Sequence, residues 1–120
     1  MNCSVDLASR MIVERGENSW KLWLFQFVDD FRRTQNPELI DQPPASDLPL
    51  NLRSLTASTV EALCAECQVA IPDWCRDVPP LEHPWFVSGI ENLKAMALVE
   101  TPAQFRQRNI FVLGNFPDRA

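Results

Sequence analysis

Tyrosine is absent from this 120-residue sequence, histidine occurs once and glycine only three times. Without Tyr, one common acid/base and nucleophile is gone. The glycines, Gly16, Gly89 and Gly114, are scattered, so neither a Walker-type loop nor a dinucleotide-binding turn can be written from them. A long basic run is also missing; the nearest approach is Arg32 with Arg33 and Arg106 with Arg108. With a net charge of −5, the chain as a whole repels nucleic-acid phosphates. No apolar run approaches the roughly 18 residues that span a bilayer, and Met1 to Asp6 have neither the basic start nor the apolar stretch of an export leader. These absences predict a cytoplasmic protein with no membrane partner, no nucleic-acid partner of its own, and four cysteines present as reduced thiols rather than as a disulfide framework.

What the chain does contain is ordinary globular composition, 46% apolar and 22% charged, which excludes disorder throughout. Four Trp and seven Phe supply large core anchors. The length suits one domain, residues 1–120, with a real core.

The patterning predicts an all-α fold. Between Ser19 and Arg33, apolar residues recur at Trp20, Trp23, Leu24, Phe27, Val28 and Phe31, one face of a helix that Asn18 can cap. Leu22 and Phe25 fall outside that stripe and widen the apolar surface beyond what one core contact needs. Such a surplus marks either a partner interface or a helix buried on several sides. Before it, Val5, Ala8, Met11 and Ile12 indicate a shorter helix ending near Gly16. Residues 35–57, broken by Pro37, Pro43, Pro44 and Pro49, read as a loop or linker between an amino-terminal helical arm and a carboxy-terminal helical core. Ser58 with Glu61, and Ser88 with Glu91, have capping-box spacing. The first would open a helix with Val60, Leu63, Cys64 and Cys67 on one face, the second a helix through Ile90, Leu93 and Ala97. A turn is expected around Trp74, between Pro72 and the Pro79-Pro80 pair. Thr101-Pro102-Ala103-Gln104 signals a third start, with Pro102 at the first helical position. Ile110 to Leu113 is short, apolar and β-prone. The expected architecture is a small helical bundle with a Pro-rich loop and one short extended segment near the carboxy terminus.

Chemistry-bearing residues are few. Cys64, Cys67, Cys75 and His83 could hold zinc tetrahedrally as a small structural or regulatory module. Against this, Cys64 and Cys67 also continue a helical apolar stripe, where Cys acts as a small hydrophobe. As a redox CxxC, the pair would sit some two turns into its helix, away from the amino terminus that lowers a thiol's pKa. His83 could pair with Cys75 or Cys67 as a nucleophilic couple, or simply occupy a turn before Pro84. Asp29-Asp30 looks like a metal-binding carboxylate pair, but adjacent helical residues diverge, so a solvated face is the better reading. Arg106, Arg108 and Asn109 could bind phosphate or an acidic partner, or only solvate the surface. No cofactor and no enzyme activity are expected.

Pro84-Trp85-Phe86, Glu100-Thr101-Pro102 and Phe105-Arg106-Gln107-Arg108-Asn109-Ile110-Phe111-Val112, ending in Arg119-Ala120, form a distinctive series. It resembles the carboxy-terminal region of bacterial antitoxin-like proteins, often described as helix-turn-helix regulators, that are encoded beside nucleotidyltransferase-like toxins. Phe27-Val28-Asp29-Asp30-Phe31-Arg32 resembles that family's middle helix, and Leu63 to Trp74 the segment between. The resemblance extends over most of the chain. It departs at the start, where only about 18 residues precede the Trp-rich helix, too few for a two-helix DNA reader. The resemblance implies a protein that binds and restrains a neighbouring toxin-like protein. The surplus apolar helix and the carboxy-terminal segment place candidate contacts at Trp20, Trp23, Phe25, Arg106, Arg108 and Asn109. The zinc module and a self-associating fragment of a transcription regulator are the alternatives.

Overall fold

Ser4 starts the first helix: its Oγ accepts the Leu7 N–H at 3.0 Å, satisfying one of the otherwise unpaired first-turn amides. In the computed structural model, which describes residues 2–88, 93–113 and 116, this helix is α1 (Val5–Arg15). It ends at Gly16, whose φ of 104° is costly for any residue with a side chain. The apolar stripe of α1 is buried at Val5, Ala8 and Ile12.

The Trp-rich helix follows as α2 (Trp20–Thr34). Asn18 does not cap it; residues 17–19 form a 3₁₀ turn, and Ser19 occupies the cap position without a side-chain hydrogen bond. Leu24, Phe27, Val28 and Phe31 are buried, as the stripe requires. Gln35 closes the helix in the left-handed region, its N–H bonded to the Phe31 carbonyl at 2.6 Å.

The Pro-rich segment corrects the sequence reading in two ways. It is packed: Leu39, Ile40 and Leu48 are buried in the same core cluster as α1, α2 and the chain's second half. It is also shorter than expected. Residues 50–57, assigned to the loop, form the first two turns of α3 (Leu50–Cys67). Ser58 therefore lies in mid-helix and caps nothing.

Almost every side chain from Leu52 to Val60 is buried, including Ser54, Thr56, Ser58 and Thr59. A helix buried all round shows no apolar stripe, because no side of it faces water. Its hydroxyls are satisfied internally. Thr56 and Thr59 donate to the carbonyls of Leu52 and Leu55 at 2.7 and 2.8 Å, and Ser54 donates to the Pro79 carbonyl at 3.0 Å.

After a 3₁₀ turn at Asp73–Asp77, the chain forms β1 (Trp85–Phe86), α4 (Lys94–Glu100), α5 (Ala103–Arg106) and β2 (Ile110–Phe111). The capping-box spacing at Ser88 and Glu91 falls largely on residues 89–92, outside the described set. Pro102 takes the cap position of α5 rather than its first turn. The expected extended segment is present, and it has a partner: β1 and β2 pair in parallel, with Trp85 opposite Ile110 and Phe86 opposite Phe111. The Phe86 and Phe111 rings stack at 5.1 Å. The protein is thus mostly helical, with α3 packed against α2 and α5 and a two-stranded sheet at one side. Its radius of gyration is 13.3 Å, close to the roughly 13.6 Å of a compact chain of this length.

Candidate partner-binding surfaces

Of the surplus apolar residues of α2, Phe25 turns inward and Leu22 does not. Trp20 meets Phe25 and Trp85 edge-on, at 6.4 and 6.5 Å. Phe25 meets Phe116 at 5.7 Å, and Phe116 meets the buried ring of Phe105 at 5.4 Å. This chain of rings ties α2 to β1 and to the carboxy-terminal segment. Trp20, Trp23 and Phe25 are only half-exposed, Trp20 and Trp23 packed against the core and Phe25 against Trp20 and Phe116. On α2, the large apolar side chain that does reach solvent is Leu22, 58% exposed.

The basic trio divides by environment. Arg106 is exposed and caps the end of α4, donating to the carbonyls of Leu98 and Thr101 at 3.2 and 2.9 Å. Asn109 is half-buried with a left-handed φ of 65°, and its Nδ2 donates to the Leu81 carbonyl at 2.9 Å. Arg108, expected on the surface, is 6% exposed. Its guanidinium donates to the Cys75 carbonyl at 2.7 Å, the Val78 carbonyl at 3.3 Å and Ser58 Oγ at 3.3 Å, and it forms an ion pair with Glu61. Each of its three nitrogens has an internal partner and the side chain is buried, so Arg108 is removed from the candidate contacts. Ser58 and Glu61, the supposed capping box, are the α3 residues that receive it.

Asp30 is likewise not on a solvated face. It is 7% exposed, and its carboxylate accepts the Cys3 backbone N–H at 2.7 Å, Gln26 Nε2 at 3.2 Å and Arg33 at 3.1 Å. Burial alone would push this carboxyl up; the Cys3 amide, Arg33 and Gln26 outweigh it and hold the group below the ordinary carboxylate range. Asp29, its neighbour in sequence, is exposed.

All four cysteines are free thiols. Cys64 and Cys67 end α3, at the negative pole of the helix rather than the positive one. Burial pushes Cys64 up to about 11 and Cys75 up to about 12, the reverse of what an attacking thiolate needs. His83 is exposed and lines a shallow groove with Leu50, Pro80 and Trp85, a groove lined by none of the cysteines. Among the described residues no group of three or more His, Cys, Asp or Glu side chains is placed to hold a metal ion, so the structure does not assemble the four-ligand set.

An apolar surface does exist, at a place the periodicity did not mark. In α4, Ala97 is buried, while Met96, Leu98 and Val99 are 47%, 50% and 81% exposed. The sequence offered a weak signal: the stripe through Leu93 and Ala97 leaves three large apolar residues on the other sides of the same helix. A singly exposed Leu is unremarkable, but three within four positions form a patch. No described helix is long and apolar enough to cross a membrane. Comparison of the chain with protein-family models, curated proteins and solved structures returns no match.

Proposed function

We propose that this chain is a non-catalytic, antitoxin-like protein that binds and restrains a nucleotidyltransferase-like toxin, and that α4 is its principal contact face. The supporting observation is the exposure of Met96, Leu98 and Val99 on one short helix. The antitoxin element of the proposal comes from the resemblance of Pro84–Phe86, Glu100–Pro102 and Phe105–Val112 to that family. The architecture gives α4 support suited to a contact surface. Arg106 holds its carboxy-terminal end, and the Thr101 hydroxyl joins the Ala97 carbonyl in the last turn to Val112, the residue after β2, accepting the Val112 N–H at 3.1 Å. A partner that covers these side chains gains from apolar burial, about 25 cal/mol for each Å² removed from water.

The test is co-expression with the toxin-like protein encoded next door, followed by co-purification and a growth assay. The unmodified chain should co-elute and protect growth. The double variant Leu98→Asp/Val99→Asp should lose both while unfolding at an unchanged temperature, since neither side chain belongs to the core. The proposal fails if the unmodified pair neither co-elutes nor protects. The assignment to α4 fails if the double variant still binds.

A further inference from the structure

Trp74 is fixed by its own indole. Its Nε1 donates to the Ile40 carbonyl at 2.8 Å, pinning the 3₁₀ turn at Asp73–Asp77 to the Pro-rich segment. The surface between them is a groove of about 430 Å³ whose walls include Trp74, Ile71, Pro43 and Pro72. Ile71 is 47% exposed, although apolar. The prolines have fixed φ and the indole is anchored, so the groove is already formed and little order has to be gained on binding.

Two carboxylates, Asp41 and Asp73, also line this groove, and no Lys or Arg does. Both are exposed, and neither takes part in an ion pair among the described residues. An aromatic wall, aliphatic surface and uncompensated negative charge together complement a side chain with an apolar stem and a cationic head. A divalent cation fits less well. It needs several converging oxygens, and no group of three acidic side chains is so arranged among the described residues. Between the two cationic side chains, arginine is the more weakly hydrated, stacks its plane on an indole and can address a carboxylate through two N–H groups at once.

We propose that this groove docks an arginine side chain carried on an extended segment of a protein partner. The surface lies on residues 37–43 and 70–74, apart from α4. Its test uses an isolated peptide, so it stands or falls separately from the toxin reading.

The experiment is an amide and indole NMR titration of the whole chain with the blocked pentapeptide Gly-Pro-Arg-Pro-Gly. A matched peptide carrying citrulline, which keeps the shape and removes the charge, is the control. The arginine peptide should shift the Trp74 indole N–H, identified by its loss in Trp74→Phe, together with the backbone amides of Ile40, Asp41, Ile71, Asp73 and Trp74. Its affinity should be in the millimolar range, fall several-fold in high salt, and fall by about tenfold for the citrulline peptide and for the double variant Asp41→Asn/Asp73→Asn. Because both Asp side chains are exposed, that variant should keep the spectrum of the folded protein. Absence of shifts with the arginine peptide, equal binding of the citrulline peptide, or undiminished binding by the folded double variant would each overturn the proposal.

Discussion

Arg108→Met removes the one cation among the described residues that enters the core from the carboxy-terminal segment. Methionine keeps most of the stem's volume, so the cost is chiefly electrostatic and hydrogen-bonding rather than a cavity. The substitution strips the Val78 carbonyl of its donor, leaves the Cys75 carbonyl only the longer bond from the Val78 N–H at 3.3 Å, and leaves Glu61, whose side chain is 13% exposed, without its counter-charge. Breaking a buried pair from one side costs about 3–5 kcal/mol, because the remaining charge stays desolvated. Partial access of water to Glu61 favours the lower end, so we expect about 3–4 kcal/mol. For a domain of this size that is a fall of about 12 °C or more in melting temperature. Urea unfolding followed by Trp fluorescence measures it, with the slope checked to be unchanged. The decisive comparison is Arg108→Met/Glu61→Leu. If the penalty is stranded charge, the double variant should recover at least half of the lost stability, although the Val78 carbonyl remains unpaired. A loss below about 1 kcal/mol in the single variant, or strict additivity in the double, would refute the reasoning.

Asp30 gives a pH-dependent prediction. Its folded carboxyl titrates below its unfolded value of about 3.9, so its contribution is fully present above that pH and is lost as pH falls through the ordinary value toward the lowered one. Asp30→Asn should therefore be less stable at neutral pH and show a shallower loss of melting temperature below about pH 4 than the unmodified chain; parallel curves would remove Asp30 as the cause. Thiol labelling separates the four cysteines. Burial raises Cys3, Cys64 and Cys75 to about 11, 11 and 12, whereas Cys67 is half-exposed. With a thiol reagent at pH 8, peptide mapping should find Cys67 modified first and the other three only on unfolding. Labelling of Cys64 or Cys75 at the rate of Cys67 would contradict this packing.

Helices that show one face to the core and one to water were legible from spacing alone. Gly16 as a helix stop, the stripe of α1 and the stripe of α2 all follow from local rules that need no knowledge of neighbours. The mostly helical class and the extended segment near Ile110 were legible for the same reason. The first two turns of α3 were not. Leu50 to Thr59 mixes Ser and Thr with Leu, which in isolation looks like a loop. Thr56 and Thr59 bond within the helix, but Ser54 and Ser58 are satisfied inside the core by partners brought from far along the chain, the Pro79 carbonyl and Arg108. The Ser58–Glu61 spacing mimicked a cap because the same two residues serve a long-range guanidinium.

The same division holds for the candidate surfaces. Composition and spacing determined that this protein carries large rings, a negative charge and few groups suited to catalysis. They could not determine which rings face water, because exposure belongs to pairs of segments rather than to any one of them. Trp20 and Phe25 had the look of a partner face until Trp85 and Phe116 arrived to cover them. The spacing did not single out Met96, Leu98 and Val99, which the fold leaves exposed. Arg108 looked like surface charge until Glu61 and two carbonyls supplied what water would otherwise have given it. Local periodicity is a property of the chain, but desolvation is decided by whatever the tertiary structure places alongside it.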